Sequence, residues 1–381
     1  MPITVHPDDI QYNTKTYSVQ NFLFNEILAG ADDILIHSGW VVGQHGINIY
    51  NMDINCLIEY LKELPINGRI GFDDIFEGLF LWQLVHIIHR ALAQANIDPS
   101  RVYYFSAMVN GQEVYDKFCE ESKIKNKINI LGFNYWGYLV SCGYKPTAPL
   151  PIKPKEKLYL CFNRIFKLHR FILLGLLLDR DLVKSAWHSF FLYIYSQDIS
   201  MDVALSNLSS IPVELADKIK KNINKHIDDF PMTINIVSGK DNKNYLNEED
   251  LPFFENSYFS LVTETGFYQE YPVFFSEKIF KPIMMRHPFI LASTPHSLRG
   301  LRALGFLTFS PWIDESYDDI INPNDRLAAI TDEVDRLHKF TADQWLLWQH
   351  NVQEILEHNF KILTTRKQDE FKYSNNLQLH T

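Results

Sequence analysis

Short apolar runs alternate with segments of helical period twice along this chain, and a proline-rich stretch separates the two series. In the first series, ILIHSG (34–39), RIGFDD (69–74), VYYFSAM (102–108) and KINILGFN (127–134) read as strands. Between them, 55–65, 78–97 and 111–121 carry apolar residues at i, i+3, i+4 and i+7 and read as helices. Strands joined through helices pair in parallel, so the pattern predicts a parallel, doubly wound α/β sheet. Residues 144–156, YKPTAPLPIKPKE, hold four prolines in thirteen positions and read as an extended linker.

The second series repeats the first. Strands are expected at 157–163, 188–196, 232–239, 257–265 and 288–293, with LTF (307–309) as a last short one. Helices are expected at 166–183, near 200–206 and 212–226, at 277–285 and at 296–305. After Asn322 the apolar spacing is helical, with a polar tail. The expected organisation is an N-terminal Rossmann-like domain over 1–150, a C-terminal one over 151–325, and closing helices with a tail over 326–381.

Net charge is −10, which argues against a chain whose main task is gripping nucleic acid, because that affinity rests on neutralising phosphates. A local basic island persists at 153–184, with eight Lys or Arg against three acids. Four cysteines (Cys56, Cys119, Cys142, Cys161) have no CxxC or zinc-ligand spacing. The start shows no basic segment followed by an apolar one, and FILLGLLL (171–178) is too short to span a bilayer. These features lead us to expect a cytoplasmic protein.

The chemistry concentrates at 254–302. From Tyr245 to Glu277 there are seven acids and no Lys or Arg; from Lys278 to Arg302 there are five Lys or Arg and no acid. The reversal falls where Ser276 caps a helix start that carries Glu277 and Lys278. Free N–H groups and the positive dipole end make such a turn an anion site. Lys278 can reach a phosphate and Glu277 can accept from sugar hydroxyls, although a solvated helix start explains the same residues. Pro282 should kink or shorten this helix. A second cluster follows the strand at 157–163, where Asn163, Arg164, Lys167 and Arg170 stand at a carboxyl end, the place where open parallel sheets bind ligands. Arg offers a fork that matches phosphate oxygens. A basic helix face pairing with Asp179 and Asp181 is the alternative.

Phe254-Glu255-Asn256-Ser257, then Thr263-Glu264, then Ser276-Glu277-Lys278, resembles the ENS…EK signature of the α-1,3-fucosyltransferase family. The stretch HPFILASTPHSLRGLRALGF resembles the strand, small-residue turn and helix that follow that signature. Glycosyltransferase-like proteins of tailed phages and large viruses are also similar, and some phage relatives glycosylate hydroxymethylated DNA bases. The resemblance covers roughly 157–310. It implies a GT-B fold, with two Rossmann-like doubly wound domains and C-terminal helices packing across them. It further implies that Lys278 and an Arg within 164–170 bind a donor diphosphate, that Glu277 contacts the ribose or donor sugar, and that Glu255 and Asn256 lie close to the donor. The first half does not match, so no base is carried over.

An inverting transfer needs a general base near the acceptor hydroxyl. Asp73, Asp74 and Glu77 follow the strand RIGF and are the first candidates, with His45 in the loop GQHG second; the three acids also suit ordinary helix capping. Asp179-Arg180-Asp181 has the spacing of a metal-binding DxD but reads as a solvated helix end, so no metal is expected. No P-loop, GxGxxG, HExxH or GxSxG occurs. The expected activity is sugar transfer from a nucleotide-sugar donor to a glycan or other hydroxyl, with no cofactor beyond that co-substrate. The alternatives are transfer to hydroxymethylated DNA, and a protein that binds nucleotide sugars without catalysis.

Overall fold

A computed structural model of the chain describes residues 27–28, 30, 32–37, 54–64, 67–75, 81–143, 148–194, 197–230, 232, 250–268, 272–367 and 371–373. His45 and Glu77 lie outside the described residues, as does most of the expected strand at 232–239. The chain divides into two compact units: residues 1–139, 271–275 and 366–381 form the first, and 140–270 and 276–365 the second.

The first unit is built on β1 (Ile34–His37), α1 (Ile54–Lys62), β2 (Ile70–Asp74), α2 (Leu81–Ala95), β3 (Val102–Ser106), α3 (Gly111–Glu121), β4 (Asn129–Gly132) and the first five residues of α4 (Tyr135–Gly143), whose remainder belongs to the second unit. Its strands pair in parallel in the order β1-β2-β3-β4. Ile36, Ile70, Phe72, Val102 and Tyr104 from the strands pack on Leu57, Leu61, Ile88 and Leu92 from the helices, all fully or nearly buried. Each such side chain contributes roughly 1.5–3 kcal/mol of transfer free energy. Two segments from later in the chain complete this unit. Val273 donates to the Asn110 Oδ1 (2.9 Å) and accepts from the Val109 N–H (2.8 Å). Phe371 and Tyr373 bond along β4, through Asn134 N to Phe371 O (2.8 Å) and Tyr373 N to Gly132 O (2.9 Å). A Cβ at Gly132 would stand 2.6 Å from the Tyr373 ring, so glycine is required there.

The second unit holds β5 (Lys157–Asn163), α5 (Leu168–Asp179), β6 (Ala186–Phe190), the short pair β7 (Tyr193–Ile194) and β8 (Gln197–Asp198), α6 (Met201–Ser206), α7 (Val213–Lys225), α8 (Leu251–Glu255), β9 (Ser257–Thr263), α9 (Glu277–Met284), β10 (Phe289–Ala292), α10 (Ser297–Ala303), α11 (Pro323–His338), α12 (Ala342–Asn351) and α13 (Gln353–Thr365). The main sheet is parallel in the order β10-β9-β5-β6. From β5 the chain steps outward to β6 and then returns to the other side for β9. The order therefore reverses between β5 and β9, and a crevice forms outside the carboxyl ends at such a point. The run FILLGLLL lies in α5, wholly buried, as a core helix. Gly175 lets α5 close on α7; a Cβ there would meet the Ile219 side chain at 2.7 Å.

Several local expectations change. YWGYLVSCG, for which no element is expected above, forms α4, started by Asn134, whose Oδ1 accepts from Gly137 N (2.9 Å). The expected strand 188–196 splits into β6 and the β7–β8 pair. LTF (307–309) is not a strand, because side chains take its backbone groups: Asn359 bonds both the N–H and the carbonyl of Leu307, and Glu315 accepts from Phe309 N. The helix with Pro282 inside it stops after eight residues. Among the described residues no helix is long and apolar enough to cross a membrane.

Candidate functional site

The carboxyl ends of β5 and β9 are locked together. Thr263 Oγ1 donates to Asn163 Oδ1 (2.5 Å), and Asn163 Nδ2 reaches Cys161 Sγ (3.2 Å). Asn163 is therefore a buried brace between neighbouring strands. Arg164 and Lys167, in the turn that leads to α5, are half-buried. Lys167 is the N-cap residue of α5 and makes no side-chain cap bond. Arg170, in the first turn, points inward: its guanidinium donates to the carbonyls of Ile165 (2.9 Å), Thr263 (2.9 Å) and Glu264 (3.3 Å). It clamps the end of β9, so its charge acts on the site at a distance and not by direct grip.

The start of α9 lies in chain order just beyond this edge. Ser276 accepts from Lys278 N (3.4 Å) through its hydroxyl and so caps the helix. Glu264, the residue after β9, accepts from Ser276 N (3.2 Å) and Ser276 Oγ (2.5 Å). Lys278 Nζ lies 3.0 Å from Ser276 Oγ and 3.0 Å from Glu277 Oε1. His169 Nε2 is 3.0 Å from the Glu264 carbonyl oxygen, and its ring stacks on Phe267 (4.8 Å). The Arg326 guanidinium covers the same Phe267 (4.3 Å) and donates to its carbonyl (2.5 Å). The loop that leaves β9 is thus held from α5 and α11.

The electrostatics follow from burial and charge order. Burial pushes the Glu264 carboxyl above its ordinary value, with Glu277 adding to the rise and Lys278 and the Ser276 bonds opposing it. Burial works the same way on Glu277, but Lys278 and Lys281 outweigh it and hold that carboxyl below its ordinary value. Burial, then Arg170, hold His169 far below the usual imidazole range, so it is neutral. Three cations (Arg170, Lys278, Lys281) face two acids (Glu264, Glu277), which leaves a local excess of one positive charge. The site suits an anion with hydroxyls beside it.

Glu255 and Asn256 do not belong here. They lead into β9 at its amino end, where Asn256 O accepts from Lys157 N (2.9 Å) and Glu255 O accepts from Lys155 Nζ (2.8 Å). The seven residues of β9 lie between them and Glu264, a separation of roughly 25–30 Å at the usual strand rise of about 3.3 Å per residue. The acid that stands beside Ser276, Glu277 and Lys278 is Glu264. Its signal was present: an isolated Glu closing an otherwise apolar, buried strand.

In the first unit, Asp73 and Asp74 end β2 and are both 1% exposed. Asp73 Oδ1 accepts from Ile75 N (3.2 Å), and the Tyr104 hydroxyl donates to Asp74 Oδ2 (2.5 Å). Among the described residues no group of three or more His, Cys, Asp or Glu is arranged to hold a metal ion.

No protein-family model matches this chain, and no curated protein does. Among solved structures, the UDP-forming α,α-trehalose-phosphate synthase of Burkholderia vietnamiensis is similar over 96% of this chain and 79% of its own, at 12% identity and a TM-score of 0.42. The corresponding enzyme of Burkholderia xenovorans is similar over 94% and 79%, at 10% identity and 0.40. A DNA-modifying β-glucosyltransferase, solved with and without uridine diphosphoglucose, is similar over 96% and 93%, at 10% identity and 0.39. With TM-scores below 0.5, these likenesses carry no argument about what this chain binds or does.

Proposed function

We propose that this chain is a glycosyltransferase that moves a sugar from a nucleotide-sugar donor to an acceptor hydroxyl. One observation carries the reading. The order of the second sheet reverses between β5 and β9, and the polar groups converging beyond that reversal end on a capped helix start with Glu277 and Lys278 in its first turn. In this reading the diphosphate lies against the α9 start, with Lys278 reaching it and Arg164 and Lys167 closing from the α5 turn. Glu277 accepts from ribose or sugar hydroxyls. Transfer is inverting and needs no metal, because the lysine and the helix end offset the leaving-group charge. The general base comes from Asp73, Asp74 or Glu77 in the first unit. The net charge of −10 favours a glycan or another small hydroxyl compound over DNA as acceptor.

A panel of nucleoside diphosphates and their sugars tests the donor in a thermal-shift assay. Ligand at a hundred times its Kd stabilises by about 2.7 kcal/mol, which raises Tm by several degrees in a unit of this size. Lys278→Ala should abolish the shift, and chelation with EDTA should leave it in place. If no nucleoside diphosphate moves the transition, the donor assignment is wrong. Turnover of hydroxymethylated duplex DNA in preference to glycans would replace the acceptor.

A further inference from the structure

Glu264 has no task in the donor reading, yet it is fully buried at the centre of the site. A carboxylate in such a place is unfavourable unless its oxygens are bonded and its charge is met. Both oxygens are engaged: Oε1 accepts from Ser276 N, and Oε2 accepts from Ser276 Oγ and Thr265 N (3.3 Å). From α5 it faces the Arg170 cation and neutral His169. From α9 it faces Lys278 and the second acid, Glu277. From β10 comes a main-chain bond, Glu264 N to Ala292 O (2.9 Å), and from α11 Arg326 bonds the Phe267 carbonyl and covers its ring.

Ser276 is therefore bonded from behind by Glu264 while its own hydroxyl bonds Lys278 N and Nζ. The first turn of α9 is thereby tied to the end of β9 through that serine. The lysine ammonium spends two of its three N–H donors on Ser276 and Glu277, and in the donor reading a diphosphate draws its charge toward the ligand and away from Glu264. Glu264 then exchanges a nearby cation for a nearby dianion. Its carboxyl already lies above the ordinary range because of burial, and that exchange drives it further in the same direction.

We propose that Glu264 is the positioning residue of the donor site: it fixes the first turn of α9 through Ser276, and it takes up a proton from solvent when a nucleoside diphosphate draws Lys278 away. The proposal rests on the reading of the α9 start as the diphosphate site. Donor affinity is then coupled to pH through a side chain that touches no ligand.

Calorimetric titration tests it, using whichever of UDP, GDP, CDP and ADP gives the largest thermal shift, at pH 7 in buffers of different ionisation heat. Proton uptake by the phosphates themselves is common to all variants, so the comparison between variants isolates Glu264. Wild type should take up more protons per ligand than Glu264→Gln, and the variant should bind about tenfold more weakly, because an amide cannot accept from both Ser276 groups. Ser276→Ala, which keeps the carboxylate, should weaken binding yet retain the uptake. If Glu264→Gln fails to fold, Glu264→Asp serves in its place, with weakened binding and retained uptake expected. Equal proton counts and affinities within twofold in wild type and Glu264→Gln, or Glu264→Asp binding as wild type where that variant stands in, would overturn the proposal and leave the donor site standing. Undiminished binding by Lys278→Ala, or no binding by wild type, would overturn the donor reading itself and this proposal with it.

Discussion

Two helix starts in the second unit are held by carboxylates that come from elsewhere in the chain. Glu264 bonds Ser276 at the head of α9, and Asp318 accepts from Leu298 N (2.9 Å) and Arg299 N (3.2 Å) at the head of α10, whose own N-cap residue, His296, makes no side-chain cap bond. Burial pushes Asp318 up to about 6 despite these bonds. The two ends differ in what surrounds them: at α9 a lysine in the first turn can turn to a ligand, while at α10 Asp318 already satisfies the exposed N–H groups. The catalytic base is a separate question at this scale. Asp73→Asn, Asp74→Asn and Glu77→Gln should be assayed for turnover and for nucleoside diphosphate binding. The variant that removes the base is expected to lower kcat by about 10²- to 10⁴-fold with binding unchanged. Full turnover in all three would exclude the end of β2 as the source of the base.

At the scale of elements, α5 is the beam on which the site stands. Its first turn supplies His169 and Arg170, and its buried apolar length, Phe171 to Leu178, anchors it in the core. The close approach to α7 at Gly175 sets its depth. Gly175→Ala places a methyl group against Ile219 and should cost about 1–3 kcal/mol, read from chemical denaturation. A stability equal to or above wild type would mean that α7 yields easily and does not fix α5. The short α9 illustrates a different constraint. Pro282 removes one N–H and the helix ends at Met284, which keeps its eight residues close to the sheet edge.

For the molecule as a whole, buried imidazoles make acid a destabilising condition. Burial alone lowers His188 to about 4, and neither ring nitrogen has a hydrogen-bond partner among the described residues. A histidine whose folded value lies below its unfolded one stabilises the fold above about pH 6.5, and that contribution is lost as pH falls toward 4. His188→Leu removes this titration. Relative to the variant, wild type should lose about 3 kcal/mol between pH 6.5 and 4, near 1.4 kcal/mol per pH unit. Parallel melting curves for the two proteins across that range would contradict a neutral, buried His188. The opposite sign applies to Asp318, whose penalty is relieved as pH falls below about 6, so the two effects must be separated by variants and not read from wild type alone.

Hydrophobic period alone determined the parallel α/β class, the strands β1 to β5, β9 and β10 to within a few residues, and the helical close of the chain, because period 2, period 3.6 and turn residues are local signals. It also carried the helix start at Ser276 and the charge reversal there. The resemblance put Glu255 and Asn256 close to the donor, but the structure puts them at the amino end of β9, because residues that precede a parallel strand cannot stand at its carboxyl edge. Only the tertiary structure decided the rest. The return of 271–275 and 366–381 to the first unit, the reversal between β5 and β9, and the inward turn of Arg170 depend on contacts between distant segments, which no local pattern encodes. The pairing of Glu264 with Ser276 belongs to the same class: they stand twelve positions apart in sequence, and folding β9 against its neighbours is what brings a buried acid to the Ser276 hydroxyl.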